Sequence, residues 1–400
     1  MNDDRLSAAA GLPMAQPAAS GFSPERLTRL TKAMQREIDA GRVPGAAMMI
    51  MRGGALVYAA SLGRQTPDGP AMASNSIFRI YSMTKPIVSV ALMMLVEEAR
   101  LALTDPLAKF IPEFSHPQVG VEIGGQLELR AADAAITLHD LMRHTSGLSY
   151  GFTGDSAVQK LYQSAKLFGS GMTSADFAAA LAQLPLKAQP GAAWEYSHST
   201  DLIGRVIEIV SGQSLGDFLA QNILAPLGMI DTGFFAAPAA LPRLAEAFAA
   251  DRDSGAPNLL IPVRKAPHFL SGGGGLVSTL ADYARFLTML RNGGVFGQCR
   301  LLGRPTIASM VSDHIPPGIP INHAILLPGH GFGLGFSVRR ANGYAPSIGV
   351  ADEYGWGGLA GTSFFVSPRD DLAAILMIQA PAQRDFFRFL FRHHIYAAME

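Results

Sequence analysis

Cysteine is nearly absent from this 400-residue chain, which contains one, Cys299. A single thiol cannot form an internal disulfide, and it cannot build a metal site from thiolates. An excess of charge is also missing, because lysine plus arginine and aspartate plus glutamate both number 32. Nucleic acid and anionic membranes attract basic surfaces, so neither is expected as a partner. The composition fits a protein of a reducing compartment.

Long apolar runs are missing as well, and no leader sequence is expected. No apolar run approaches the roughly 20 residues that a membrane span requires. The chain begins with two acids after Met1 and shows no basic region followed by an apolar one, so no secretory signal is predicted. We expect a soluble, cytoplasmic protein in which residues 1–21 form a flexible segment.

Hydrophobic residues, in contrast, make up 48% of the chain, enough for one elaborate domain or two domains that share a core. Apolar spacing predicts a helix from Ser23 to Ala40 and a hairpin around Arg52-Gly53-Gly54. Alternating and continuous apolar runs predict strands at 333–338, 362–366 and 372–379.

A closing helix is predicted from Arg384 to Met399, and the middle of the chain is mostly helical. Strands at both ends with helices between them predict an α/β fold of the α+β type: a central antiparallel sheet built from both chain ends and flanked by helices. We expect a sheet domain made of residues 22–105 and 255–400. A mostly helical domain is expected at 106–254, with the active site in the cleft between the two.

Ser82 is the best candidate nucleophile, because an uncharged, apolar run from Pro86 to Val96 follows it almost at once. A helix that is apolar on all sides is a buried one, and proline suits its first turn. Lys85 then lies three residues after Ser82, on the same face of the helix start. The positive end of the helix stabilises a developing anion, and a desolvated amine loses its proton more readily. A capping serine followed by a solvated lysine is the alternative interpretation.

Tyr196 is a second candidate, on a predicted loop that leads into a helix at Thr200. From such a loop a phenol could reach a cleft and relay a proton to and from a serine oxygen. A tyrosine that is simply buried beside Trp194 is the other interpretation.

Three further patterns are weaker. GQSLG around Ser214 matches G-x-S-x-G, but its predicted helix–turn–helix context does not fit a nucleophile elbow, so Ser214 is expected to cap a helix. His139 and His144 are five residues apart and predict no metal pair. The Gly272–Gly275 run lacks the Lys-Ser/Thr of a phosphate-binding loop and is expected to be a flexible turn. No metal and no cofactor are expected.

Several longer motifs carry a resemblance that covers the chain from Phe22 onward. They are SMTK at Ser82–Lys85, ITLHDLMRHTSGL, WEYSHSTDLIGRVIE, APLGM and SGGGGLVSTLADYARFL, in that order. Together they resemble the serine β-lactamase-like superfamily, and most closely the family VIII carboxylesterases, relatives of class C β-lactamases and penicillin-binding proteins. The resemblance implies a β-lactamase-like fold, with Ser82 as the nucleophile, Lys85 as its partner and Tyr196 as the proton-transferring phenol.

Two departures from the class C pattern bear on the substrate. The Tyr-x-Asn motif reads Tyr-x-His here, so His198 is expected to line the cleft or to tune Tyr196. The Lys-Thr-Gly motif that binds a lactam carboxylate is replaced by Trp356-Gly357-Gly358, as in family VIII esterases. Loss of the lysine removes an anchor for an anion, and the indole makes the cleft apolar. The residues expected to bind substrate are therefore His198, Trp356, Gly357 and Gly358.

By the same resemblance, the backbone N–H groups of Ser82 and Leu359 are expected to form the oxyanion hole. The expected reaction is hydrolysis of short-chain acyl esters through an acyl-enzyme, with weak β-lactam hydrolysis left open. A β-lactamase or D,D-peptidase, and an acyltransferase, are the alternatives that would use the same site. The expected partner is a small-molecule ester, and the sequence predicts no oligomeric state.

Overall fold

The structure of the protein is a computed structural model, which describes residues 2–169 and 171–400. In that part of the chain the β-structure comprises a large sheet and three short ladders. The strands are β1 Gly45–Arg52, β2 Ala55–Gly63, β3 Phe78–Arg79, β4 Gln118–Ile123, β5 Gln126–Ala131, β6 Val277–Ser278, β7 Val295–Phe296, β8 Cys299–Arg300, β9 His330–Phe332, β10 Ser337–Arg339, β11 Tyr354–Gly357, β12 Ser363–Ser367 and β13 Leu372–Ile378.

The large sheet is antiparallel and is built from both chain ends, as predicted. Among the described residues it has seven strands, in the order β2-β1-β13-β12-β11-β10-β9. The last strand pairs with the first, with Ala46 opposite Ile378. Every residue of β13 is buried, because its continuous apolar sequence is covered on both faces. The sheet therefore separates two hydrophobic clusters.

Helices cover both faces of this sheet. In chain order they are α1 Asn2–Ala10, α2 Pro24–Asp39, α3 Thr84–Glu97, α4 Leu138–Met142, α5 Ala157–Ser164, α6 Ser174–Ala182, α7 Ser199–Ser211, α8 Leu215–Leu219, α9 Ala225–Leu227, α10 Leu280–Arg291, α11 Arg304–Met310 and α12 Arg384–Ala398. Leu27 and Leu30 of α2 and Phe387 and Phe391 of α12 pack on one face, while α3 and α10 belong to the cluster on the other.

Helix α3 lies at the centre of the larger cluster. Every residue from Thr84 to Met93 is buried, as its apolar sequence predicts, and the helix packs against α7 and α8. Because Lys85 is inside this buried stretch, its amine lies away from bulk water. The position of α3 thus fixes the environment of Ser82, which lies two residues before the helix begins.

The expectation of a flexible segment at residues 1–21 is wrong for the described part of that segment. Residues 2–10 form α1, which packs against α10, and Leu6 and Leu12 are buried. The hydroxyl of Ser7 donates to the carbonyl of Leu12 and closes the turn after the helix. The physical reason is that a few apolar side chains on one face are enough to dock a short helix on an existing core.

A hairpin in the middle of the chain was not predicted. Strands β4 and β5 pair along their whole length, from Gln118 opposite Ala131 to Ile123 opposite Gln126, around the turn Gly124-Gly125. Apolar residues do alternate in both strands, as Val119, Val121 and Ile123 and as Leu127 and Leu129, so this period-two pattern was the signal available. Within residues 2–169 and 171–400, no helix has the length and hydrophobicity needed to cross a bilayer.

Candidate active site

Ser82 lies in a tight turn between β3 and α3. Residues Tyr81–Met83 form a single 3-10 turn, and α3 begins at the next residue. Tyr81 has a φ of 43°, the left-handed region that costs a non-glycine residue about 1–3 kcal/mol. Its phenol holds it there by accepting the N–H of Ile261 at 2.9 Å. The strained turn presents the Ser82 hydroxyl to the cavity instead of leaving it as an ordinary helix cap.

Lys85 meets Ser82 one helical turn later. The side chain is 1% exposed, and Nζ lies 3.4 Å from Oγ of Ser82. The same amine donates to the carbonyl of Gly273 at 2.7 Å and lies 3.2 Å from the phenol oxygen of Tyr150. All of its contacts are thus with the protein, and the alternative of a solvated lysine is wrong.

Tyr196 completes the group around the serine hydroxyl. Its Oη lies 2.7 Å from Oγ of Ser82, and Nε1 of Trp356 donates to that phenol oxygen at 3.3 Å. Nζ of Lys85 is 4.5 Å from the centroid of the Tyr196 ring. The structure therefore brings a hydroxyl, an amine, a phenol and an indole together.

A buried carboxylate fixes the segment that carries Tyr196. Glu195 is 7% exposed, and its Oε1 accepts from Ser149 at 2.7 Å and from Thr153 at 2.7 Å. Gln159 and Asn322 donate to the same side chain at 3.0 and 3.1 Å. Because four donors converge on one carboxylate, the backbone next to Tyr196 has little freedom.

Tyr150 was not singled out from the sequence, and His144 was considered there only as a metal ligand. Tyr150 and His144 both pack against the ring of Tyr196, with centroid separations of 5.2 and 4.9 Å. Burial raises the pKa of Tyr150 far above its usual value, and the charge of Asp201 adds to the effect. Burial lowers the pKa of His144 well below its usual range, helped by the charge of Lys85. His144 lies within the ITLHDLMRHTSGL motif and Tyr150 two residues beyond it, and this motif was the signal available.

His198 does not line the cavity, so its expected contact with substrate is wrong. The side chain is buried, and Nδ1 lies 3.0 Å from Oδ2 of Asp201. Its ring lies 4.1 Å from that of Tyr150 and 5.4 Å from that of Phe177. The reason is that Asp201, one helical turn further along α7, draws the imidazole inward.

The Trp356-Gly357-Gly358 sequence ends β11 beside the nucleophile turn. A Cβ on Gly358 would lie 2.4 Å from the carbonyl oxygen of Ile80, so only glycine permits this approach. The N–H of Gly358 donates to Thr362 at 2.7 Å and closes a tight turn. Leu359 therefore lies in this turn, just after the end of β11.

The backbone N–H groups of Ser82 and Leu359 are both available to a ligand. Neither makes a hydrogen bond with any group in the described ranges, and both residues line the same cavity. Behind the turn, the guanidinium of Arg388 donates to the carbonyls of Gly358 and Thr362. The turn is thus held by the N–H of Gly358 and by Arg388, whereas the N–H of Leu359 is unpaired among the described residues.

The cavity in front of Ser82 has a volume of about 360 Å³, in the range of small-molecule sites. Its wall near the nucleophile is mainly apolar: Phe152, Ile325, Leu326 and Trp356 contribute to it. Phe152 is 61% exposed and Leu359 is 42% exposed, so apolar side chains also reach the rim. A neutral, partly apolar ligand fits this part of the lining, while charged side chains such as Arg384 and Asp385 contribute elsewhere in the cavity.

The weaker sequence patterns have structural explanations. Ser214 is exposed and accepts the N–H of Asp217 at 3.0 Å, as a helix cap should. Nε2 of His139 lies 3.0 Å from Nδ1 of His314, away from His144. Gly272–Gly275 is not a loose turn, because a Cβ on Gly272 would lie 2.5 Å from the carbonyl of Thr200. The glycines allow this loop to pack directly on the start of α7.

Comparisons with known proteins agree with this geometry. The family model described as Beta-lactamase matches residues 30–397. An uncharacterized protein of Mycobacterium tuberculosis is 34% identical over 362 residues, covering 87% of this chain and 89% of the relative. Esterase EstB of Burkholderia gladioli is 28% identical over 379 residues, again covering 87% and 89%. The solved structure of EstCE1, a hydrolase with promiscuous acyltransferase activity, has a TM-score of 0.78 at 26% identity and covers 93% of this chain and 98% of its own.

The fold and these likenesses support an enzyme, a serine hydrolase of the ester-hydrolysing kind. The chain belongs to the beta-lactamase family, and its fold is β-lactamase-like. The resemblance to the serine β-lactamase-like superfamily, inferred from SMTK and the later motifs, is confirmed.

Proposed function

We propose that the protein is a serine carboxylesterase of the family VIII type, which hydrolyses short-chain acyl esters through an acyl-enzyme on Ser82. The observation that carries this proposal is the buried contact among three groups. Oγ of Ser82 lies 2.7 Å from the Tyr196 phenol and 3.4 Å from the Lys85 amine. A weak nucleophile beside a general base is the arrangement that covalent acyl transfer requires.

Acylation begins when Oγ of Ser82 attacks the ester carbonyl and its proton passes to the Lys85–Tyr196 pair. The carbonyl oxygen becomes an oxyanion, which the N–H groups of Ser82 and Leu359 stabilise. Collapse breaks the bond to the alcohol oxygen, and Tyr196 protonates that oxygen as it leaves.

Deacylation repeats these steps with water. The water oxygen attacks the acyl carbon while the Lys85–Tyr196 pair takes its proton. The bond from the acyl carbon to Oγ then breaks, Ser82 regains a proton, and the carboxylic acid departs. Serine, lysine and tyrosine are restored, so the cycle consumes one ester and one water.

The lining of the cavity supports a neutral acyl ester as substrate. Trp356 stands where class C β-lactamases carry the lysine that anchors a carboxylate, and its indole faces the Tyr196 phenol. Phe152 and Ile325 extend the apolar wall, and the 360 Å³ volume favours a small acyl group. Nitrocefin turnover is therefore expected to have a lower kcat/KM than turnover of a short-chain chromogenic ester, and the opposite ranking would favour a β-lactamase.

Transfer of the acyl group to an alcohol is a second candidate activity. The observation that favours it is the likeness to EstCE1, a hydrolase with promiscuous acyltransferase activity. An acyl-enzyme on Ser82 can be intercepted by an alcohol in place of water. Product analysis with an added acceptor alcohol separates the two, because transfer yields a new ester and hydrolysis yields only the acid.

The test of the main proposal is a pair of serine variants. We expect Ser82→Ala to lower hydrolysis of p-nitrophenyl butyrate by about 10³-fold or more. Ser214→Ala, which changes only an exposed helix cap within the competing G-x-S-x-G motif, should retain nearly full activity. The reverse pattern would contradict the proposal.

A further inference from the structure

The buried carboxylate of Asp201 is linked to the Lys85 amine through a single residue, Gly273. Asp201 is 2% exposed, and its Oδ1 accepts from Oγ of Ser271 at 2.6 Å and from the N–H of Gly273 at 2.9 Å. Its Oδ2 lies 3.0 Å from Nδ1 of His198. Asp201 does not line the cavity, and the proposed reaction steps do not use it.

Gly273 connects this carboxylate to Lys85. Its N–H ends on Asp201, while its carbonyl accepts Nζ of Lys85 at 2.7 Å. A Cβ on Gly273 would lie 2.7 Å from Oδ2 of Asp201, so the contact is too close for any other residue. The position of the carbonyl that holds the amine is therefore set by the carboxylate on the other side of the same peptide group.

His198 makes a second connection from Asp201 to Lys85. Its imidazole contacts the carboxylate with Nδ1, and its ring lies against Tyr150 with a centroid separation of 4.1 Å. The Tyr150 hydroxyl in turn lies 3.2 Å from Nζ of Lys85. The two connections thus form a closed ring of contacts between Asp201 and Lys85, and each side chain in the ring restricts the movement of its neighbours.

The carboxylate keeps its charge in this buried place. Burial acts to raise the pKa of Asp201, but the hydrogen bond and charge of His198, with the charge of Lys85 and the hydroxyl of Ser271, hold it below its usual value. An ionised carboxylate accepts hydrogen bonds more strongly than a neutral amide does. The network therefore depends on charge as well as on shape.

We infer that Asp201 is a positioning residue for Lys85: through Gly273 on one side and His198 on the other, it holds the amine within reach of the Ser82 hydroxyl. This inference rests on the proposed function of Ser82 and Lys85. A residue of this kind acts on the rate of acylation, because substrate binding in the cavity does not involve it. A buried carboxylate that only stabilises the fold would affect stability instead.

The experiment compares Asp201→Asn with a matched control, Asp251→Asn. Asp251 is 5% exposed, and its carboxylate likewise accepts from a serine hydroxyl, a backbone N–H and a side-chain nitrogen, at 2.6, 2.8 and 2.8 Å. Those donors belong to Ser254 and Gln383, which do not contact Ser82, Lys85 or Tyr196. Both substitutions remove a carboxylate that accepts three hydrogen bonds, one linked to the Lys85 amine and one away from it.

We expect Asp201→Asn to lower kcat for a short-chain chromogenic ester by about 10–100-fold, the usual effect of losing an outer partner of a reactive group. KM should change by less than about threefold, because the cavity wall is intact. The rate at which a serine-reactive phosphonate labels the protein should fall in parallel, since labelling requires the activated hydroxyl but no deacylation. Asp251→Asn should leave kcat and the labelling rate near those of the unsubstituted protein.

A milder variant keeps the test valid if Asp201→Asn does not fold. Ser271→Ala removes one of the three donors to Asp201, and we expect the protein to fold with a lowered thermal midpoint and a smaller loss in kcat of about threefold to tenfold. The inference is overturned if Asp201→Asn is labelled at the full rate, if Asp251→Asn loses as much kcat, or if Ser271→Ala is fully active when Asp201→Asn is unfolded. An unsubstituted protein that the phosphonate does not label would instead overturn the proposed function, and the inference with it.

Discussion

The phenol oxygen of Tyr196 lies 2.7 Å from Oγ of Ser82, although 114 residues separate the two in the chain. Ser82 is held by the strained turn before α3, whereas Tyr196 is held by the carboxylate of its neighbour Glu195. Two independently fixed segments therefore place these two oxygens within hydrogen-bonding distance of each other. Fixed geometry of this kind lowers the cost of orienting a proton-transfer group during reaction.

Tyr196→Phe removes this contact and keeps the ring. Because a positioned proton-transfer group contributes about 10²–10⁴-fold to a rate, kcat for ester hydrolysis should fall within that range. KM should change little, since the ring still packs against Trp356. Steady-state kinetics would check this. Tyr58→Phe is the control, because it also removes a tyrosine hydroxyl, one that lies 2.9 Å from the hydroxyl of Thr31. A Tyr196→Phe variant with the original kcat would contradict the proton-transfer role.

Gly358→Ala tests the proposed oxyanion turn. The new Cβ would lie 2.4 Å from the carbonyl of Ile80, so the turn carrying the Leu359 N–H must move away from Ser82. Loss of one oxyanion donor costs about 3 kcal/mol of barrier, which corresponds to a kcat lower by about 10²-fold. Gly343→Ala is the control, because a Cβ there meets nothing within 4 Å. Equal activity of the two variants would exclude Leu359 as a donor.

Trp356→Phe tests the indole N–H apart from the apolar wall. Phenylalanine keeps an aromatic surface in the cavity but removes the donor that lies 3.3 Å from the Tyr196 phenol. Since one neutral hydrogen bond contributes about 0.5–1.5 kcal/mol, kcat should fall by about twofold to tenfold. Trp356→Ala should also raise KM, because the wall itself is lost. An unchanged kcat in Trp356→Phe would mean that the hydrogen bond does not assist the phenol.

Stability should fall as the pH is lowered from 7 towards 4. Burial lowers the pKa of His139 and of His330 from 6.5 to about 4 each. Between these pH values both side chains are therefore neutral in the folded protein and protonated in the unfolded chain. The unfolded state then binds more protons between pH 6.5 and 4, and acid favours it. Asp282 acts in the opposite direction, because burial raises its pKa to about 6.

The measurement for this prediction is the urea midpoint at pH 7.5, 6 and 5. We expect the midpoint to decrease along that series. Replacing both histidines, as His139→Gln with His330→Gln, should make the decrease smaller. A midpoint that rises towards pH 5 would show that Asp282 outweighs the histidines.

Sequence alone predicted the sheet built from both ends and the core of the site. The reason is that continuous apolar runs such as β13 and α3 have one stable location, the interior. Ser82 and Lys85 became candidates because a charged residue directly before an apolar helix is unusual, and Tyr196 was added on the basis of motif order. These signals are local in the chain.

The contacts that position these groups were not predictable in the same way. Asp201 and Gly273 are 72 residues apart, and their hydrogen bond depends on how a glycine-rich loop packs on α7. His198 was expected in the cleft from its place in the Tyr-x-His motif. Its inward hydrogen bond to Asp201 could not be predicted, because that bond depends on the surrounding aromatic packing. Such relationships are tertiary, and no periodicity in the sequence reports them.

The most direct test of the proposed catalytic role is to identify the residue that a serine-reactive phosphonate modifies. After labelling, peptide mass spectrometry should place the adduct on Ser82, and prior replacement of Lys85 by alanine should slow its formation strongly. An adduct on Ser214, or none on the intact protein, would contradict the account.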